Sequence, residues 1–220
     1  MRQKLSGDRQ RSPRVQKKRE QARQEILQTA QLLMRAGGVE AVTLASVAGE
    51  LGMTKQAIYH YFPSKEALIR RLVTTLVDDE VNALLAAVEA ADSGESTLGT
   101  LVRAFYDHYI GNLDALRFVY CQSQLYATPD HGMDQGTVRD EINPRTQHLF
   151  DKLEARLVAD RKLTKAKRER LRRLAFTAWT SALGLMTMLG IADALDDPLV
   201  HSNEDLIDTL AEVFDNTASV

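Results

Sequence analysis

Two hundred and twenty residues, 44% hydrophobic and 26% charged, give a globular chain long enough to bury a core. One cysteine, Cys121, excludes an intrachain disulfide framework and fits a reducing, cytoplasmic setting, while 12 Gly and 5 Pro exclude collagen-like and low-complexity classes. The net charge of −2 is unevenly spread: residues 1–71 hold 14 Lys+Arg against 6 Asp+Glu (+8), and residues 72–220 hold 14 against 24 (−10). That asymmetry points to a basic segment that meets a polyanion and an acidic body that does not.

In chain order, residues 1–16 lack hydrophobic periodicity and read as a flexible basic arm without the apolar core of a secretion signal. A helix is predicted from about Lys17, with Ile26, Leu27, Ala30, Leu33 and Met34 at spacings of three and four, and a stop at Gly37-Gly38. Thr43 is placed to cap a short second helix ending before Gly52, and Thr54 to cap a third from Lys55 to about Tyr61. Pro63 closes it and Ser64 opens a long fourth helix carrying Leu68, Leu72, Leu76, Leu84 and Val88. Three short helices with a glycine in the second turn predict a helix-turn-helix. Further helices are predicted over 98–110, 113–126, 144–157, 164–195 and 205–214, with a long loop at 127–143 and no strand pattern. The fold class is all-α, with about nine helices.

The run from Thr43 to Leu68, with Tyr59-His60-Tyr61-Phe62 followed by Ser64-Lys65-Glu66-Ala67-Leu68, closely resembles the signature of the TetR family of bacterial transcription regulators. The resemblance reaches back to Ile26 and covers about 50 residues; beyond them only helix number and order match. It implies an N-terminal DNA-binding domain (17–66) after the arm (1–16), and a C-terminal ligand-binding and dimerisation domain (67–220).

The residues support DNA reading on their own chemistry. A helix of eight residues spans ~12 Å, comparable to the major groove. Lys55, Gln56 and Tyr59 are expected on its open face: Gln56 has the amide fork that suits adenine, Lys55 reaches guanine or phosphate, and Tyr59 meets sugar or phosphate. Thr43 and Thr54 at helix starts, His60, and Lys65 beside the fourth helix are expected phosphate contacts, with Ala57, Ile58, Tyr61 and Phe62 as core. Two copies on a palindromic, double-stranded operator are expected, because one such unit makes few contacts.

In the body, residues 174–195 are apolar almost all round with one charge, Asp193. Thr177, Thr180, Ser181 and Thr187, together with the basic run before the segment, oppose a membrane span, so burial against the body and a second copy is expected. Ala178, Ser181, Ala182 and Leu185, with Leu206, Leu210 and Phe214 of the last helix, are the expected homodimer interface. A mainly apolar small-molecule effector is expected among Phe105, His108, Tyr109, Phe118, Tyr120, Tyr126, Phe150, Trp179 and Met186, which fall on the helices that line the family's inducer cavity. Its binding is expected to release a repressor from the operator.

Two other readings stand beside this one. His108, His131 and His148, with Asp130, Asp134 or Glu141, can be gathered around a metal if the 127–143 loop folds back, although none has a recognised ligand spacing. A helical interaction module without DNA binding is the other, opposed by the intact Gln56, Tyr59 and Lys65. No enzyme is expected, and no cofactor: there is no phosphate-cradling glycine loop, no paired-histidine zinc motif, and the run Gly94 to Gly99 misses a nucleophile elbow by one residue.

Overall fold

The computed structural model describes residues 13–91, 96–122, 135–159, 162–195 and 201–218. Among these residues the secondary structure is helical with no strand. Backbone contacts divide the chain into two units, Met1–Leu68 and Ile69–Val220, two residues beyond the boundary expected at 66/67.

The first unit holds α1 (Pro13–Ala41), α2 (Leu44–Glu50), α3 (Lys55–Tyr59) and the start of α4 (Lys65–Ala90). Residues 13–16, expected in the arm, are helical: Pro13 lacks an N–H and has a preset φ, which suits the first position of a helix. The remaining arm residues, 1–12, lie outside the described residues. Helical dihedrals break at Gly37 (φ −151°) and Gly38, whose φ of +69° only glycine adopts readily, and one more turn leads to Ala41.

Thr43 caps α2 reciprocally, accepting from the Ser46 N–H at 3.0 Å while the Ser46 hydroxyl accepts from the Thr43 N–H at 3.0 Å. Gly52, at φ +62°, makes the turn into α3, and the Met53 N–H returns to the Ala48 carbonyl at 2.9 Å. Ile26, Ala30, Met34, Val47, Ile58 and Phe62 are all within 4% of full burial, so a small core fixes all three helices.

The second unit contains the rest of α4, then α5 (Thr97–Ile110) and α6 (Leu113–Leu116), which runs on as a π-helical segment, Arg117–Gln122. A short turn (Gln135–Thr137) and a second π-helical segment (Val138–Ile142) lead into α7 (Asn143–Val158), α8 (Lys165–Leu195) and α9 (Asn203–Ala218). The loop expected over 127–143 is therefore helical from Gln135, where Thr137 is buried; 127–134 lie outside the described residues. The sixth helix, expected as one regular α-helix, widens at Arg117, whose guanidinium bonds Asp114 at 3.1 Å and the Gly190 carbonyl at 2.8 Å.

α5 packs on both α8 and α9, and α8 also packs on α7 and α9. The α5–α9 approach depends on Gly99: its N–H donates to the Asp215 carboxylate at 2.7 Å, and a β-carbon there would collide with that carboxylate. Thr177, Thr180 and Thr187 of α8 return their hydroxyls to carbonyls of the preceding turn. No helix among the described residues is long and apolar enough to cross a membrane.

Candidate nucleic-acid interface and aromatic effector site

The open face of the first unit is built by α3. Ile58, fully buried, and Phe62, 4% exposed, anchor the helix, which leaves Lys55, Gln56, Tyr59 and His60 exposed. The helix spans five residues rather than the seven expected, because His60 already serves as its C-cap. Tyr61 and Ala57, expected in the core, are half-buried and line a groove of about 530 Å³ with Val15, Lys18, Arg19, Met53 and His60.

The Thr54 hydroxyl accepts from the Ala57 N–H at 3.2 Å and fixes the start of α3. The Lys55 ammonium lies 5.9 Å from the Tyr59 ring centroid, a cation–π distance that holds both side chains on one face. Arg19 donates to the His60 carbonyl at 3.3 Å and ties α1 to the end of α3. Lys65 is 3.9 Å from the exposed Glu40 carboxylate, a loose surface ion pair that an incoming phosphate can replace. Thr43 is half-buried and spends its hydroxyl on the α2 cap and on Ser46. The long polar side chains of α3 are thus exposed, with hydroxyls and cations around them.

In the second unit the aromatic residues converge on a carboxylate that the sequence reading missed. Glu80 of α4 is 2% exposed. Its oxygens accept from the Tyr109 hydroxyl at 2.6 Å, the Tyr120 hydroxyl at 2.6 and 2.7 Å, and the Trp179 indole N–H at 3.3 Å. Burial raises the Glu80 pKa above the ordinary carboxylate range, and the three donors oppose that rise. Burial, then the neighbouring Glu80 charge, pushes both phenols well above their usual range, so they remain donors.

The signal for Glu80 was in the sequence. It stands on the apolar stripe of α4, four residues after Leu76 and four before Leu84, where a charge needs a partner inside.

Rings extend from this carboxylate in both directions. Tyr120 lies 6.1 Å from Phe105, 6.2 Å from Tyr109 and 5.8 Å from Trp179, and Phe105 lies 5.0 Å from Tyr109. Trp179 also meets Phe150 at 5.8 Å and Phe176 at 5.7 Å. Phe176 is 53% exposed and borders an open groove of about 570 Å³ with Phe150, Arg172, Arg173, Glu169 and Thr177. Six of the nine expected effector residues, Phe105, His108, Tyr109, Tyr120, Phe150 and Trp179, are thereby joined, His108 by a ring contact of 4.6 Å with Tyr109.

His108 is half-buried beside Asp79; burial lowers its pKa, and the Asp79 charge partly offsets that. Phe118 and Met186 are buried in the body, and Tyr126 lies outside the described residues.

The expected dimer residues divide. Ala178 and Ala182 are fully buried and Phe214 is 7% exposed within the single chain, so they pack its interior and are not a surface for a second copy. Ser181, Leu185, Leu206 and Leu210 are half-buried. The open sides of α8 and α9 instead carry Thr177, Gly184, Met188 (60% exposed) and Val213 (53%). The apolar run of α8 misled because its small residues serve the α8 contacts inside the body.

For the metal alternative, no group of three His, Cys, Asp or Glu side chains is gathered among the described residues. His148 is exposed on α7, and His131, Asp130 and Asp134 lie outside the described residues.

Comparison with known proteins bears on both units. Residues 26–72 match the family described as bacterial regulatory proteins, tetR family. The chain is 24% identical over 161 residues to the nucleoid occlusion factor SlmA of Photobacterium profundum, covering 68% of this chain and 73% of that protein. A transcriptional regulator of the TetR/AcrR family from Thermobifida fusca superposes with a TM-score of 0.64 at 22% identity, over 89% of this chain and 97% of that one. The regulator FadR of Bacillus subtilis, in complex with stearoyl-CoA, superposes at 0.62 with 14% identity, over 87% and 96%.

Proposed function

We propose that this chain, whose residues 26–72 match the tetR family of bacterial regulatory proteins, is a DNA-binding regulator of transcription of that type, a cytoplasmic homodimeric repressor released by a small effector. The observation that carries the DNA assignment is the exposed Lys55–Gln56–Tyr59 face of α3, held by Ile58 and Phe62 below and the Thr54 cap at its start. In this reading Gln56 and Lys55 meet base edges, Tyr59 meets the backbone, and Thr43, Thr54, His60 and Lys65 hold phosphates. Two units on a palindromic operator supply the contact number that one lacks.

The dimer surface in this proposal is the open side of α8 and α9, through Thr177, Gly184, Met188 and Val213, with Ser181, Leu185, Leu206 and Leu210 at its margin. The effector site is the aromatic group around Glu80. FadR, bound to an acyl-CoA in its own structure, supports a small-molecule role for a body of this fold. An effector that prefers a body shape unfavourable to operator binding weakens DNA binding by the factor by which DNA weakens its own binding.

The direct test is selection of duplexes from a random pool at modest salt, then gel shifts with wild type and Gln56→Ala. Wild type is expected to enrich a two-fold symmetric site, and Gln56→Ala to relax preference at one base per half-site. Failure of wild type to enrich any sequence would remove the proposal.

A further inference from the structure

The helix-turn-helix that the family match covers carries no net charge of its own. Residues 26–68 hold three Lys+Arg against three Asp+Glu, whereas the described residues before them, 13–25, hold five against two, a net of +3. Cations that displace the condensed counter-ions of a duplex supply the sequence-independent part of its binding. With Lys55 as its one cation, α3 is equipped to distinguish bases, but the charge that draws a polyanion to this unit sits on α1.

The cations of 13–25 stand on a helix. Val15, Lys18 and Arg19, spaced by three and four, share one side of the first turns of α1. That side makes one wall of the groove of about 530 Å³, and Met53, Ala57, His60 and Tyr61 make the rest. The Arg19 bond to the His60 carbonyl at 3.3 Å fixes the spacing of the walls. Lys18 is exposed, and among the described residues neither it nor Arg14, one turn earlier, is paired with a carboxylate. Val15 is 50% exposed, an apolar side chain set among cations.

A helix in the major groove has a sugar–phosphate strand on either side of it. The groove borders α3 at Ala57 and His60, where such a strand passes if Gln56 and Lys55 meet base edges. Its lining matches both parts of that strand: Lys18 and Arg19 suit phosphate oxygens, and Val15 and Tyr61 suit the apolar faces of deoxyribose.

We infer that the first turns of α1 form a second nucleic-acid contact, in which the groove between Lys18 and His60 seats a sugar–phosphate strand of the duplex that α3 reads. Lys18 holds a phosphate at the groove, and Arg14 holds its neighbour. The inference rests on the reading of α3 as the base-reading element and adds where the backbone is gripped. The cations that carry it precede residue 26, where the family match begins.

The test uses the full chain, the selected duplex and a mixed-sequence duplex of equal length, with binding followed by fluorescence anisotropy across a salt series. The variants are Lys18→Gln, Lys18→Arg, Lys18→Gln with Arg14→Gln, and Lys167→Gln, an exposed cation of the second unit. Lys18→Gln is expected to weaken both duplexes about fivefold or more near ~0.1 M salt and to lower the salt slope by about one per protomer. The double variant is expected to lower both further, while Lys18→Arg and Lys167→Gln stay within about twofold of wild type. On the selected duplex, phosphate-ethylation interference is expected to lose one position per half-site in Lys18→Gln, with base preference unchanged.

An unchanged salt slope or ethylation pattern in Lys18→Gln, or a loss no greater than that in Lys167→Gln, would overturn the inference and leave base reading by α3 standing. If wild type selects no sequence, the mixed-sequence duplex decides. A slope that falls in Lys18→Gln then keeps the α1 contact and removes the base-reading helix. No binding of wild type to that duplex at low salt removes both.

Discussion

The two units solve opposite problems with polar groups. In Met1–Leu68, apart from Arg19 on the His60 carbonyl and the loose Lys65–Glu40 pair, the polar groups either close local caps, as Thr43, Ser46 and Thr54 do within three residues, or stand in the open, as Lys55 and Gln56 do. In Ile69–Val220 they reach across the chain: Glu80 is 29, 40 and 99 residues from its three donors, and Asp215 is 116 from Gly99. The first unit keeps its chemistry outside and its architecture local, while the second buries its chemistry in contacts that only the complete fold assembles. The contrast suits the proposed roles, exposed groups on a fixed support for a long rigid polymer and an enclosed group of rings for a small molecule.

That contrast can be broken in order of effect. Ile58→Ala empties a fully buried position under the reading helix and is expected to cost about 2–5 kcal/mol, read as lost DNA binding and a lower melting temperature of the first transition. Gly99→Ala forces α5 from the Asp215 carboxylate and is expected to cost about 1–3 kcal/mol of body stability, with the affinity of any retained DNA binding little changed. An unaltered melting curve would show that the α5–α9 approach is not tight. Gln56→Ala is expected to cost about 1–3 kcal/mol at one base pair, measured by binding to the selected duplex and its single-base variants, with thermal stability unmoved. Thr54→Ala is expected to cost about 1 kcal/mol of stability through the lost cap, seen in chemical denaturation.

The smallest effect is a slope. Glu80 has a raised pKa in the fold, so the native state holds its proton more tightly than the unfolded chain. Its contribution to stability is complete below the ordinary glutamate range and is lost as pH rises from there through the higher native pKa. Glu80→Gln is expected to remove that part of the pH dependence, measured as denaturant midpoints across a pH series.

What could be read from the sequence follows the same division. Caps, turns and the Ile58–Phe62 anchor lie within a few residues of what they hold, so the helix-turn-helix was legible, apart from the early end of α3 at the His60 cap. The family resemblance then gave those positions their roles. In the body, helix order was legible from apolar spacing, but Asp78-Asp79-Glu80 reads along the chain as a solvated acidic run. Its three members face different partners: Asp78 bonds Arg145 at 2.5 Å, Asp79 faces His108, and Glu80 enters the aromatic group. Ala178 and Ala182 were misplaced for a related reason, since small residues suit close approach equally well inside one chain and between two.

The Thr54 hydroxyl has one further implication. Its oxygen is committed to the Ala57 amide, but its hydrogen is free to be given outward, so one side chain at the head of α3 can serve the helix and a neighbouring phosphate together. If Thr54 meets a phosphate as proposed, the two duties separate only by chemistry: an aspartate would keep the cap and lose the donor, an alanine would lose both, and a serine would keep both.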